Sequence, residues 1–211
     1  MRVLLAALLA SGAAAGPAMK HTSADTRTAQ ASLLKSSDFA KTWSGTTSPQ
    51  NGVALSCSGH SVNGAGIVET GAAASPNFSD GTTGPFVNQN TSVYATSAEA
   101  NTYWHRAVTP GLVTCVAQTL EALRSRGITV TITSQGKHPL STSLAHTTAY
   151  RVVASVGKNK LKYYLDVVVL GEGRAVTSLT IVSIQMPFSA KVESALAILV
   201  AARLSGGPGA A

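Results

Sequence analysis

The stretch AYRVVASVGKNKLKYYLDVVVLGEGRAVTSLTIVS, residues 149–183, decides the fold, because it holds three runs of β-prone residues separated by two short turns. Apolar residues recur at every second position of the first two runs: Tyr150, Val152, Ala154 and Val156, then Leu161, Tyr163, Leu165, Val167 and Val169. Such alternation is typical of strands with one buried face. The turns at 157–160 and 171–174 are too short for a crossover connection, so the pattern predicts antiparallel neighbours.

Helical patterns flank these strands in the sequence. Ser97 and Thr109 are predicted to cap helices over 98–108 and 110–126, and Ser189 is predicted to cap a last helix that ends near Leu204. The last two helices place apolar residues three or four positions apart: Leu112, Val113, Val116, Leu120 and Leu123, then Val192, Leu196, Leu199 and Val200. Spacing of this kind predicts that one helical face packs on the sheet.

The first hundred residues are harder to interpret. A short amphipathic helix is predicted over 29–43, strands over 53–58 and 66–70, and a polar loop over 71–90. A strand at 128–132 precedes the three strands already described. The whole order predicts an α+β fold, in which an antiparallel sheet is flanked by helices.

The N-terminus, MRVLLAALLASGAAAGPA, has the order of a secretory signal peptide: one basic residue, a short apolar run and small residues. We therefore expect a signal peptide over 1–18, a polar linker over 19–30, one domain over 31–204 and a flexible tail over 205–211. Export to the medium, the periplasm or the cell envelope follows. After removal of the signal we expect no stable membrane span, because the apolar run is too short for one.

Charge and composition limit the partners. The formal net charge is +7, yet charged residues make up only 12% of the chain. The basic residues are scattered, and no aromatic platform for bases accompanies them, which argues against a nucleic-acid partner. Weak attraction to an anionic envelope, or an unknown small molecule or envelope component as partner, is the better hypothesis.

Two cysteines in an exported chain predict one disulfide, Cys57–Cys115. Their spacing fits no zinc motif, and the five histidines show no ligand spacing, so we predict no metal and no cofactor.

The sequence contains an incomplete version of a catalytic motif. Gly59-His60-Ser61-Val62-Asn63 resembles the nucleophile elbow of serine hydrolases, but Asn63 stands where a small residue is needed. No histidine follows the available acid Asp166, and no phosphate-binding loop is present. We therefore predict no enzymatic activity.

Two polar groups remain as candidates for ligand binding. The first is Tyr103-Trp104-His105-Arg106, either a helix with solvated polar residues or the lining of a ligand cleft. The second is Asp166 inside the apolar run LKYYLDVVVL, which needs a partner if it is buried. Arg151 on the preceding strand is that partner, as a structural ion pair or as a polar group of a cleft. The full candidate set is Trp104, His105, Arg106, Tyr150, Arg151, Tyr164 and Asp166.

The segments ASLLKSSDFAKTW, VYATSAEANTYWHRAV, AYRVVAS and YYLDVVVLGEGRAVTSLTIVS, with the closing AARL, resemble actinobacterial exported sensor-type domains such as the PknH-like extracellular domain. The resemblance covers about residues 30–204. It implies a Mog1/PsbP-like sandwich, a cleft for a small ligand and a disulfide-stabilised domain without catalysis.

The leading hypothesis is therefore a secreted, non-enzymatic ligand-binding or sensor-like domain of the bacterial cell envelope. Two alternatives stay open. One is a structural or protein-interaction component of the envelope, and the other is a secreted hydrolase in which a serine and a histidine meet in a cleft.

Overall fold

The computed structural model describes residues 16–47, 62–121, 124–125 and 127–206. Within these ranges the helices are α1 (Ser23–Ala31), α2 (Ser97–Ala107), α3 (Pro110–Glu121) and α4 (Ala190–Gly206), with a short 3-10 helix at Ser36–Asp38. The strands are β1 (Ala18–Met19), β2 (Trp43–Thr46), β3 (Val68–Ala74), β4 (Asn77–Asp80), β5 (Phe86–Tyr94), β6 (Val130–Lys137), β7 (His146–Val156), β8 (Leu161–Glu172) and β9 (Ala175–Ile184).

The nine strands of the described residues form one sheet in the order β1-β3-β5-β9-β8-β7-β6, with β4 beside β5 and β2 beside β4. The α+β prediction is confirmed. The sheet is mixed rather than purely antiparallel, because β1 runs parallel to β3. No helix among the described residues is long and apolar enough to span a membrane.

The meander β6-β7-β8-β9 is the part that the sequence pattern predicts well. β7 and β8 pair without interruption from His146↔Gly171 to Val156↔Leu161. Their turn begins at Gly157, whose φ of +74° lies in the left-handed region that favours glycine. The next turn, between β8 and β9, is equally tight, so short connections dictate antiparallel pairing here.

Each face of the sheet carries its own apolar core. Leu179 and Ile181 of β9 point toward α4, where Leu196 and Val200 meet them in one buried cluster. The opposite face packs on α2 and α3, with Leu112 among its fully buried residues. Because successive strand residues point to opposite faces, a residue's position in its strand decides which core it joins.

The N-terminal predictions need correction. Residues 19–30 are not a linker, because Ser23–Ala31 form α1, capped by the Thr22 hydroxyl, which accepts from the Asp25 backbone N–H at 3.1 Å. α1 lies directly on β3. A Cβ added at Gly71 would come within 2.4 Å of the Asp25 backbone, so only glycine permits this approach.

The helix predicted over 29–43 is also wrong, since α1 ends at Ala31 and 43–46 form a strand. Gln89 explains where the helix stops. Its side-chain carbonyl accepts the Leu34 backbone N–H at 2.7 Å, and its amide donates to the Ser32 carbonyl at 3.1 Å. Both backbone groups are thereby satisfied outside a helix.

The loop predicted over 71–90 contains β4 and most of β5 instead. Its polar residues predict a loop, yet several of them belong to hydrogen-bonded strands of the sheet. The Gln89 amide also donates to Thr91 and Thr177, whose hydroxyls lie 2.7 Å apart. Tertiary pairing therefore overrides local propensity along β5.

Other boundaries differ by smaller amounts. The cap of α2 is Thr96 rather than Ser97, and its hydroxyl accepts the Glu99 N–H at 3.1 Å. α4 extends to Gly206, two residues into the predicted tail. The signal peptide up to residue 15, the strand at 53–58, Cys57 and Ser61 lie outside the described residues.

Candidate functional site

The seven predicted site residues do not share one cleft. Tyr150 pairs with Val167 and lies in the core beneath α2 and α3, whereas Arg151 pairs with Asp166 on the face beneath α4. Tyr164 lies on that second face as well. Neighbouring strand residues point in opposite directions, so a single cleft over Tyr150 and Arg151 is excluded.

The predicted ion pair between Arg151 and Asp166 is present. The Arg151 Nε donates to Asp166 Oδ1 at 2.5 Å, and Nη2 donates to Oδ2 at 2.7 Å. Asp166 has no exposed surface, while the Arg151 side chain keeps 22% of its surface exposed. The bidentate geometry satisfies the buried carboxylate of Asp166 and fixes the guanidinium against β8.

Glu193 of α4 and His138, which follows β6, extend this pair into a buried charge cluster. His138 Nε2 lies 3.0 Å from Glu193 Oε2, and Arg151 Nη2 lies 3.5 Å from the same oxygen. Glu193 is fully buried, and its Oε1 has no hydrogen-bond partner among the described residues. The carboxyl groups of Asp166 and Glu193 thus both lie next to one guanidinium, that of Arg151.

The electrostatics of the cluster follow from its burial. Burial raises the pKa of Glu193 above its ordinary value, and the nearby Asp166 carboxylate raises it further, although His138 and Arg151 act in the opposite direction. The hydrogen bond that Arg151 donates to Asp166 raises the pKa of Arg151, so this guanidinium stays charged. The cluster therefore responds to protons through Glu193.

Trp104 and His105 lie away from the charge cluster, where α2 crosses the start of β7 and the end of β8. The ring centroids of Trp104 and His146 are 4.7 Å apart, and those of His105 and His146 are 5.7 Å apart. Trp104 Nε1 is buried without a hydrogen-bond partner among the described residues. A small aromatic cluster of Trp104, His105 and His146 results.

Arg106 and Tyr150 have structural contacts. Arg106 Nη1 donates to the carbonyls of Asn63 at 2.6 Å and Ala65 at 2.9 Å, and so fastens the 62–66 loop to α2. The Tyr150 hydroxyl donates to the Thr109 carbonyl at 3.4 Å. Through these contacts both residues stabilise the packing of α2 and α3.

A polar floor, defined as Asn88 and Asn90 of β5 with Ser178 and Thr180 of β9, faces the α2 side of the sheet. Register pairs Asn90 with Ser178 and Asn88 with Thr180. Asn90 Oδ1, Asn90 Nδ2 and Asn88 Oδ1 are buried without hydrogen-bond partners among the described residues. Such orphaned groups in a sheet are uncommon and point to water or ligand nearby.

A groove of about 430 Å³ lies between α3 and β6. We call it the α3–β6 groove; its lining residues are Thr114, Ala117, Gln118, Glu121, Ile132, Thr133, Ser134 and Gln135. Gln118 Oε1 is buried and has no partner in the described part of the chain. The groove therefore presents hydroxyl and amide groups, one of them an unused acceptor.

Sequence reasoning missed the groove, the polar floor, His146 and Glu193. The burial of Glu193 could have been predicted, because it lies on the same helical face as Leu196, Ala197 and Val200, which are all buried. Val192, which was expected to face inward, is 42% exposed. Because the Val192 side chain is apolar, the sequence pattern assigned the wrong residues to the buried face of the helix.

Cys115 is buried on α3, with 2% of its surface exposed. Its predicted partner Cys57 lies outside the described residues, so the disulfide stays a prediction.

No protein-family model and no curated protein matches the chain. Among solved structures, the chain is similar to the extracellular domain of PknH from Mycobacterium tuberculosis, with 11% sequence identity and a TM-score of 0.47. The alignment covers 87% of this chain and 98% of that one. This is the type of domain that the sequence segments resemble, but a likeness at this level carries no argument about function.

Proposed function

We propose that the chain is an exported, non-enzymatic, sensor-like binding domain of the bacterial cell envelope, and that its ligand lies in the α3–β6 groove. The observation that carries the proposal is the groove itself. Its volume of about 430 Å³ falls in the range of about 300–1,000 Å³ that is usual for small-molecule sites. The size suits a small molecule better than a folded partner.

The chemistry of the walls favours an uncharged polar ligand. Hydroxyl or amide side chains occupy five of the positions that line the groove: Thr114, Gln118, Thr133, Ser134 and Gln135. Among the described lining residues only Glu121 is charged, and it lies 3.4 Å from Arg124. If the Gln118 amide turns toward the groove, a ligand that donates a hydrogen bond to Oε1 satisfies an acceptor that is otherwise buried and unpaired, which is a source of specificity.

The walls are held in place before any ligand arrives. Leu112, Val116 and Leu120 anchor α3 in the core, and the Thr133 hydroxyl donates to the Val153 carbonyl at 3.1 Å on the neighbouring strand. A preformed site binds at a lower entropic cost than one that must be ordered. This rigidity supports a binding role.

The expectation of no catalysis rests on the sequence, where the motif around Ser61 lacks the small residue that a nucleophile elbow needs. Ser61 itself lies outside the described residues. Export is supported by the leader-like N-terminus and by the low share of charged residues, 12%.

The proposal is tested with the mature chain and a panel of small molecules, in which neutral sugars and amides are compared with charged analogues by thermal shift and calorimetry. A neutral ligand should raise the melting temperature, and Gln118→Ala should weaken its binding by about tenfold, because one buried hydrogen bond is worth about 1.5 kcal/mol. Gln30→Ala, a glutamine replacement on the exposed side of α1, is the matched control. Binding that Gln118→Ala leaves intact would place the ligand elsewhere.

A further inference from the structure

Two histidines from separate elements meet at the aromatic cluster. His105 is an exposed residue of α2, and His146 is the half-buried first residue of β7. Their ring centroids are 5.7 Å apart and their planes are nearly perpendicular, at 83°. They are 41 positions apart in the chain, so no local spacing motif announces the pair.

Gly171 is the reason that they meet. It is the register partner of His146, and α2 passes above it. A Cβ at this position would lie 3.2 Å from both the His146 Cβ and the Trp104 Cδ1. Because the glycine leaves this space free, α2 can bring His105 over the start of β7.

The two imidazoles are available as ligands. The other described histidines each lie within hydrogen-bond distance of a glutamate: His21 of Glu69 at 2.8 Å and His138 of Glu193 at 3.0 Å. Within the described part of the chain no hydrogen bond engages the ring of His105 or His146, which make ring contacts only. A neutral imidazole in that state keeps a lone pair for a metal ion.

The separation of the rings suits a shared ion. Metal–nitrogen bonds of about 2.0–2.1 Å, added to a centroid-to-nitrogen distance of about 1.1 Å, place two imidazole centroids between about 4.4 and 6.3 Å apart around one ion, depending on the angle between the two bonds. The observed separation of 5.7 Å lies within this range. We propose that His105 and His146 together bind one divalent transition-metal ion.

The class of ion follows from the ligands. Imidazole favours copper, nickel and zinc, and the affinity order of divalent ions places Cu²⁺ first. Among the described residues no group of three or more histidine, cysteine or acidic residues is arranged for a metal. The described residues therefore supply two ligands and water completes the shell, which implies modest affinity and an exchangeable ion.

Trp104 provides the readout. It lies 4.7 Å from His146, and the chain has only one other tryptophan, Trp43. In an untagged Trp43→Phe variant, Cu²⁺ at the histidine pair should quench the Trp104 fluorescence with saturation at one ion per chain. Calorimetry on the wild-type chain measures the same binding if the variant is unstable, since Trp43 stacks on Phe39.

The histidine variants decide the outcome. His105→Ala and His146→Ala should each weaken Cu²⁺ binding by about tenfold or more, because each removes one of two ligands. His21→Ala is the matched control and should bind as the wild type does. The proposal is overturned if Cu²⁺ binding does not saturate, or if it survives in both the His105 and the His146 variants.

Discussion

His138 Nε2 lies 3.0 Å from Oε2 of Glu193, and this contact joins the end of β6 to the first turn of α4. Through Glu193 it also reaches the buried Arg151–Asp166 pair. The last helix is therefore fastened to the sheet by charge as well as by its apolar stripe. The first two predictions test that arrangement.

Arg151→Met should destabilise the fold strongly. It leaves the fully buried carboxylates of Asp166 and Glu193 without their shared cation, and breaking a buried pair costs about 3–5 kcal/mol. The free energy of unfolding in urea measures the loss. The double variant Arg151→Met/Asp166→Leu should recover a large part of it, because the buried carboxylate of Asp166 is removed and Glu193 keeps its contact with His138. A double variant no more stable than the single one would contradict this account.

Glu193→Gln should change the pH dependence of stability. The folded-state pKa of Glu193 is raised above its ordinary value of 4.5, so its contribution to stability is full below pH 4.5 and is lost as the pH rises through the folded pKa. A glutamine at position 193 does not titrate, so the variant has no such loss of stability. The stability of the variant relative to the wild type should therefore increase as the pH rises from 4.5, as measured by urea unfolding at several pH values.

Asp38→Asn is the control of opposite sign. Burial tends to raise the pKa of Asp38, but the hydrogen bond from Arg203 and that from the Lys35 backbone lower it below its ordinary 3.8. Its contribution is therefore full above pH 3.8 and is lost as the pH falls through the lowered pKa. Equal pH slopes for the Glu193 and Asp38 variants would refute the assignment.

Gly171→Ala should disturb the packing of α2 on the sheet. The added Cβ lies 3.2 Å from atoms of both His146 and Trp104, closer than ordinary contact, so the helix must shift by a few tenths of an ångström. Overpacking of this kind costs about 1–3 kcal/mol. Gly136→Ala in β6 meets no atom within 4 Å and should be nearly neutral. Urea denaturation compares the two; equal effects would count against close packing at Gly171.

Cys57→Ser and Cys115→Ser should each lower stability by about 4 kcal/mol if the predicted disulfide closes the loop between these positions. The double variant should lose no more than either single one, since both remove the same bond. Mass spectrometry of the secreted chain, with and without reduction, checks the bond directly. Two free thiols in the unreduced protein would rule it out.

The strands from β7 to β9 could be predicted from the sequence because local pattern and tertiary contact agree there. Alternating apolar residues and tight turns specify the pairing without outside help. β5 could not be predicted, since Asn88, Gln89 and Asn90 disfavour strands locally and are ordered by partners distant in sequence. α1 could not be predicted for a related reason. Its apolar pattern is weak, and the helix depends on its close approach to Gly71.

The site was less predictable than the fold. The Arg151–Asp166 pair follows from two adjacent strands, so alternation and charge sufficed. His146 and His105, or Gln118 and Thr133, come together only through the placement of α2 and α3 on the sheet. Residue type reveals such a juxtaposition only after the helix packing is known.

The most direct test of the central claim is to map amide chemical shifts of the mature chain during titration with the best neutral ligand of the panel. The account predicts saturable changes concentrated on the α3–β6 groove, at Thr114 to Glu121 and at Ile132 to Gln135. Saturable changes confined to another surface would contradict it, as would a panel in which no small molecule binds.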